Sequence, residues 1–222
     1  MNIIFIDKNH QFIDTIKNVF SQVPNVIAQT ADIETISRIG TAFVSPANSF
    51  CLMSGGIDAI YNCRMFRGVE NQVKDSLKHL HTVSRYGNKY LPIGSAIVTP
   101  ITLTTCLISA PTMYLPHDVS KTMNAYHSFM AILCAFQQYC VYNPHITHLV
   151  CPALCIGYGK MPIDLSVNQI YQAYIDWTNH KIPPNDTFTN NPQLYITPFR
   201  HILDNQPHNY DEDEPFSVGT KT

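Results

Sequence analysis

One segment of the chain, residues 44–58, has side chains and backbone that could hold and act on a ligand. Gly55 and Gly56 let the backbone approach a bound group closely. The amides at the start of the helix predicted to follow carry partial positive charge, which suits a phosphate. Asn48 offers both a donor and an acceptor to sugar hydroxyls. Asp58 falls in the first turn of that helix, so a carboxylate is predicted beside the bound group.

A second segment with glycines, residues 151–162, strengthens this prediction. Gly157 and Gly159 give it a flexible backbone rich in amides. If both segments lie at one edge of a sheet, they can hold a diphosphate from two sides. Each segment alone is also typical of an ordinary strand–turn–helix connection. The chain has neither the G-x-G-x-x-G spacing of a dinucleotide site nor a P-loop lysine after Gly55 and Gly56.

A third candidate is Asp32, which follows a short predicted strand and precedes a polar turn. Its carboxylate could accept a hydrogen bond from an adenine amino group. Asp is equally typical of a helix N-cap, where the side chain accepts a backbone N–H. The local sequence leaves both interpretations open.

The elements that would position these residues alternate along the chain. Short apolar runs predict buried strands over residues 3–6, 26–28, 41–44, 94–99, 106–110 and 146–151. Apolar residues at helical spacing predict helices after residue 12, over 57–80 with a break near Gly68, over 123–140 and over 167–174. Strands that alternate with helices indicate an α/β fold, with helices covering a parallel or mixed sheet.

The composition changes after Trp177, which predicts two regions. Residues 1–180 are predicted to form the α/β domain. Residues 181–222 are predicted to form a polar extension, peripheral or partly disordered, that ends in a solvated acidic run at Asp211–Glu214. One apolar island within it, residues 194–202, is predicted to add an edge strand or a docked turn.

The overall composition argues against several classes of function. Of 222 residues, 45% are hydrophobic and 14% are charged, and the formal net charge is −2 without a dense run of Lys and Arg. Such a chain can form a sizeable core, but it lacks the cation cluster that nucleic-acid binding requires. No apolar run is long enough to span a bilayer, and no secretory leader is evident. We expect a cytoplasmic protein with no membrane partner.

The seven cysteines are odd in number and show no short paired motif. This favours free thiols in a reducing compartment. Cys151 and Cys155 are four residues apart, but no second ligand pair follows them, so zinc is the weaker interpretation. We therefore expect no metal and no cofactor.

The three segments, in this order, resemble the macrodomain family. Asp32 and Ile33 match the Asp-Ile of its first motif. The second motif is matched by Val44, Ala47, Asn48, Gly55, Gly56 and Asp58, with Ile57 in place of Val. The later loop is matched by Pro152, Ala153, Gly157 and Pro162. The likeness covers roughly residues 26 to 177. The chain departs from the family pattern at Ser45, Pro46, Cys155, Ile156, Gly159 and Lys160, where the last two replace an aromatic residue and a glycine.

The resemblance implies a three-layer α/β/α fold with a mixed central sheet, and a site for ADP-ribose or an ADP-ribosyl derivative. It implies that Asp32 binds adenine with help from the Ile33 amide, and that Asn48 orients the distal ribose. It implies that Asp58, unprotonated at neutral pH, assists the attack of water near the anomeric carbon. Backbone contacts to the ligand are implied for Ala47, Gly55, Gly56, Ile57, Cys155, Ile156, Gly157, Tyr158 and Gly159.

Several functions remain open at this point. The leading one is hydrolysis of an ADP-ribosyl ester, on a protein carboxyl group or in O-acetyl-ADP-ribose, because Asn48 and Asp58 occur together. The second is a non-catalytic module that recognises ADP-ribose. An ADP-ribose 1''-phosphate phosphatase and an interaction scaffold with a vestigial pocket are the other two.

Overall fold

The computed structural model describes residues 1–84, 86–179 and 194–196. The strands are β1 (Asn2–Asp7), β2 (Val26–Thr30), β3 (Thr41–Ser45), β4 (Ser95–Thr102), β5 (Thr105–Ser109), β6 (His148–Cys151) and β7 (Leu194–Ile196). The helices are α1 (His10–Val19), α2 (Gly56–Ile60), α3 (Val69–Leu77), α4 (Asn124–Tyr142) and α5 (Ile163–Thr178). A 3₁₀ turn covers Ile33–Thr35, and a π-helical turn, Tyr61–Met65, follows α2.

The strands of the described residues form one mixed sheet in the order β2-β1-β6-β3-β5-β4-β7. The first five strands in this order are mutually parallel. β4 is antiparallel to β5, and β7 is antiparallel to β4. Because β1, β6 and β3 are parallel neighbours, their carboxyl ends meet at the same edge of the sheet. The segments that follow these strands are therefore close together.

Apolar side chains cover both faces of the sheet. One core contains the buried faces of α1, α4 and α5, and the other contains the buried residues of the π-helical turn and α3. In α1 the buried residues Phe12, Ile13 and Ile16 follow helical spacing, so one stripe of the helix faces the sheet. This arrangement confirms the predicted three-layer α/β/α fold with a mixed central sheet.

The helix predicted over residues 57–80 is interrupted where the sequence places Gly68. α2 continues directly into the π-helical turn, and α3 begins after Gly68, whose φ is +77°. This left-handed conformation has little cost for glycine, because glycine has no Cβ. The interruption separates α3 from α2 and the π-helical turn.

The predicted boundary near residue 180 and most of the polar extension, including Asp211–Glu214, lie outside the described residues. Within the extension the structure describes β7, which pairs with β4 through Ala96 and Tyr195, among others. Over the described part of the chain, no helix is both long and apolar enough to cross a membrane.

Candidate functional site

The first glycine-containing loop leaves the end of β3 and is shaped by the side chain of Asn48. Its Oδ1 accepts hydrogen bonds from the amides of Phe50, at 3.0 Å, and Leu52, at 3.3 Å. Its Nδ2 donates to the Leu52 carbonyl oxygen at 3.2 Å. A side-chain amide carries two N–H donors, so this bond leaves a second Nδ2 hydrogen for a ligand. Asn48 therefore holds the loop and can also contact a bound group.

Backbone hydrogen bonds fasten this loop to the chain after β5. The Ser49 amide donates to the Met113 carbonyl at 2.9 Å, and the Thr112 amide donates to the Ala47 carbonyl at 2.9 Å. On its other side, the Leu91 amide donates to the Ser49 carbonyl at 2.8 Å. The loop is therefore held by residues distant in sequence, which fixes Asn48 before any ligand arrives.

The second loop follows β6 and is tightly folded around Gly159. The Met161 amide donates to the Cys155 carbonyl at 3.0 Å, and the Gly159 carbonyl accepts from the Val119 amide at 2.9 Å. A Cβ at Gly159 would collide with the Cys155 carbonyl oxygen and would lie 2.7 Å from Cγ2 of Val119. Position 159 thus has no room for a side chain.

The neighbouring residue Lys160 has a φ of +51°, in the left-handed region. Glycine adopts this conformation without strain, because it has no Cβ. Cys155, at the other end of the turn, also has a positive φ, +64°. Two positions of the loop therefore have a backbone conformation that favours glycine, although both carry residues with side chains.

The two loops enclose a cleft of about 530 Å³ at the carboxyl ends of β1, β3 and β6. The first loop and α2 contribute Pro46, Asn48, Leu52, Ser54, Gly55, Gly56, Ile57 and Asp58, and the second loop contributes Pro152, Ala153, Cys155, Ile156, Gly157, Tyr158 and Gly159. Asp7, Asn9, Thr112, Met113 and Pro116 complete the lining. Ten of the thirteen predicted site residues therefore lie together, as the parallel order of the strands requires.

Tyr158 brings the two loops together across the cleft. Tyr158 is exposed, and its Cε2 and its hydroxyl oxygen each lie 3.9 Å from the place where a Cβ of Gly55 would be. A Cβ at Gly55 would make only ordinary van der Waals contact with Tyr158, so the tyrosine lies beside the first loop without crowding it.

The other three predicted ligand residues, Asp32, Ile33 and Ala47, are not among the lining residues. Asp32 caps the 3₁₀ turn, since its Oδ1 accepts the Glu34 amide at 3.1 Å, and it forms an ion pair of 2.6 Å with Lys8. The Lys8 ammonium and the Glu34 amide hold the pKa of Asp32 below its usual value. Ile33 and Ala47 are buried in the core beneath the site. The adenine contact of Asp32 stays a prediction.

Asp7 is a cleft residue that the sequence analysis did not identify. It ends β1, its Oδ1 accepts the Asn9 amide at 2.9 Å, and its Oδ2 accepts the Ala153 amide at 3.3 Å. Asp7 thus joins the end of β1 to the second loop. One feature of the sequence does point to Asp7: it comes directly after the first apolar strand. Residues that follow parallel strands lie at one edge of the sheet, where ligands bind.

Asp58 lies in the first turn of α2, and its environment shifts the pKa of its carboxyl group. Only 7% of the residue is exposed, and Oγ of Ser45 donates to its Oδ1 at 2.6 Å. Burial raises the pKa of Asp58 to about 7, the Ser45 hydrogen bond opposes that rise, and the negative charge of Glu70 adds to it. This differs from the expected unprotonated Asp58, because near neutral pH the carboxyl group is present in both protonation states.

The described cleft lining contains Asp7 and Asp58 but neither Lys nor Arg. A diphosphate bound here would therefore be held mainly by backbone amides of the two loops rather than by direct ion pairs. Loops with several exposed amides are known to bind anions in this way. The arrangement combines an amide-rich cleft with a carboxyl group that can accept a proton near pH 7.

The fold of this chain is similar to that of a solved macrodomain structure. No family model matches the sequence, and no curated protein matches it. Among solved structures, the macrodomain of Mycobacterium tuberculosis DarG is similar to this chain at 16% sequence identity, with a TM-score of 0.49. The match covers 67% of this chain and 89% of that one.

Proposed function

We propose that this chain binds ADP-ribose, or an ADP-ribosyl derivative, and hydrolyses an ADP-ribosyl ester linkage. The substrate would be a mono-ADP-ribosylated carboxyl side chain of a protein, or a small ester such as O-acetyl-ADP-ribose. The main support is the presence of Asn48 and Asp58 in one cleft between two glycine-containing loops. The cleft volume of about 530 Å³ falls within the range usual for small-molecule sites.

The proposed binding mode uses the backbone for the phosphates and side chains for the sugar. Amides of residues 55–57 and 155–159 would contact the diphosphate from its two sides. The second Nδ2 hydrogen of Asn48 would donate to a hydroxyl of the distal ribose. Because the loop of Asn48 is already held by hydrogen bonds, little ordering would be required when the ligand binds.

In the proposed reaction Asp58 acts as a general base. Its carboxylate accepts a proton from a water molecule while the water oxygen forms a bond to the anomeric carbon of the distal ribose. The bond between that carbon and the ester oxygen breaks, and the carboxylate of the target leaves with the electron pair. A pKa of about 7 suits a base that works near neutral pH, since the acid and base forms are both accessible.

The non-catalytic alternative also has structural support. Both polar ends of the Asn48 side chain already bond to its own loop, and Asp58 is partly protonated at neutral pH. Either feature could reduce hydrolysis while leaving binding intact. A module that recognises ADP-ribose without turnover is therefore the second candidate.

Two measurements separate these candidates. Calorimetry with ADP-ribose should show saturable binding, and an absence of heat at millimolar ligand would contradict both. Release of ADP-ribose from a carboxyl-linked mono-ADP-ribosylated protein should then be lost in Asp58→Ala. Asp164→Ala is the matched control, because Asp164 also lies in the first turn of a helix, α5, but is exposed and outside the cleft. Binding without release by the wild type would favour the second candidate.

A further inference from the structure

Ser45 has an unusual position for a hydroxyl group. It is the last residue of β3, it is fully buried, and its Oγ donates to Oδ1 of Asp58 at 2.6 Å. The bond joins the central sheet to the first turn of α2 across the base of the cleft. It is a short hydrogen bond to a carboxylate, and such bonds are stronger than those between neutral groups.

Several ionisable groups on other elements lie near Asp58. Cys51 of the first loop and Tyr61 of the π-helical turn are both buried, and burial together with the negative charge of Asp58 raises the pKa of each. Glu70 of α3 acts on Asp58 through its negative charge, and Lys74 forms an ion pair with Glu70 at 2.5 Å. Among the causes of the Asp58 shift, the Ser45 hydrogen bond is the one that favours the carboxylate.

We propose that Ser45 is a positioning residue of this site, whose hydroxyl orients the Asp58 carboxylate and keeps it able to accept a proton near neutral pH. This inference rests on the hydrolytic function proposed above. The Ser45 hydroxyl acts on the carboxyl group of Asp58 rather than on the substrate, because Ser45 is not among the residues that line the cleft. The hydrogen bond also restricts rotation of the carboxyl group, which leaves Oδ2 for a water molecule.

The chain offers a matched control for this hydroxyl. Ser109 lies beside Ser45 on the neighbouring strand β5, at the same register, and is also buried. Its Oγ has no hydrogen-bond partner in the structure. Ser45→Ala and Ser109→Ala therefore remove the same atom from adjacent places in the sheet, and only the first removes a hydrogen bond to Asp58.

The first experiment measures hydrolysis of the carboxyl-linked substrate as a function of pH. In Ser45→Ala, the pH at which activity reaches half its maximum should rise by about one to two units, because a hydrogen bond to a charged group is lost. Turnover at pH 7 should fall about fivefold or more and should recover near pH 9. Ser109→Ala should keep the wild-type profile, and Ser45→Thr, which retains a hydroxyl, should restore most of it.

The second experiment does not depend on activity. The titration of the Asp58 carboxyl carbon is followed by ¹³C NMR, with the signal identified by its loss in Asp58→Asn. Ser45→Ala should raise the midpoint by the same one to two units, and Ser109→Ala should not. An unchanged midpoint in Ser45→Ala, or an equal loss of turnover at every pH, overturns the inference. If the wild type shows no hydrolysis, the proposed function fails, and the carboxyl titration still decides the role of Ser45.

Discussion

Asp58 combines an ionisable group with a buried position, and this combination has a cost in stability. Its carboxyl group titrates near pH 7 in the folded chain, compared with 3.8 for an unperturbed Asp. Between these two pH values the folded state retains a proton that the unfolded state releases. Because the unfolded state then binds fewer protons, this residue lowers the free energy of unfolding as the pH rises from about 4 to about 7.

Replacement of Asp58 by Asn should therefore stabilise the protein at alkaline pH relative to the wild type. Asn has a similar shape, can accept the Ser45 hydroxyl and does not ionise. The difference in unfolding free energy between Asp58→Asn and wild type should increase by about 2–3 kcal/mol from pH 5 to pH 8, at 1.36 kcal/mol per pKa unit. Urea unfolding at the two pH values measures it.

Asp164→Asn is the control for this prediction, because the residue is exposed at the start of α5. An exposed substitution of this kind usually changes stability by less than about 0.5 kcal/mol. If Asp58→Asn differs from wild type by the same amount at pH 5 and pH 8, Asp58 is not a titrating buried group.

At the scale of elements, the second loop depends on a glycine that has no space for a side chain. Gly159→Ala should lower the free energy of unfolding by about 1–3 kcal/mol, because the added methyl group meets the backbone of Cys155 and the side chain of Val119. Gly157→Ala is the matched control, since a Cβ there has no atom within 4 Å. Chemical denaturation of both variants without ligand measures the effect. Equal stability of the two variants would show that the loop can move to accept the methyl group.

The sequence predicted the elements better than it predicted the contacts between them. Buried strands such as β3 and β5 appear as continuous apolar runs, and α4 has apolar residues at helical spacing, so these elements were predictable. The Ser45–Asp58 hydrogen bond was not, because it requires the end of β3 and the start of α2 to meet around a loop. The place of Asp7 in the cleft follows only when β1 is known to pair with β6.

Ser45 also shows why departures from a family pattern are hard to interpret from sequence. The resemblance marked Ser45 as a departure from the family pattern, and Gly159 as a replacement for an aromatic residue. The structure shows a hydrogen bond to Asp58 at the first position and close backbone packing at the second. Both explanations depend on atoms of other segments, which no local pattern contains.

At the scale of the whole molecule, the two cores on either side of the sheet determine which groups reach solvent. All seven cysteines lie in the described part of the chain as free thiols, and Cys63 alone among them is exposed. Burial raises the pKa of Cys140 to about 11 and that of Cys155 to about 12. The thiolate is the reactive form of cysteine. Burial therefore protects these residues in two ways, because it limits the access of reagents and keeps the thiols protonated.

The rate at which each thiol is labelled should therefore show when the helical layers separate from the sheet. The native protein should react rapidly with one equivalent of an aromatic disulfide reagent per chain, through Cys63, and with all seven only when unfolded. Cys63→Ser should abolish the rapid phase, and mass spectrometry of the slow products identifies the next thiol to react. Any rapid reaction that remains in Cys63→Ser would mean that one layer opens without global unfolding, and the position of the labelled thiol would show which core is the weaker.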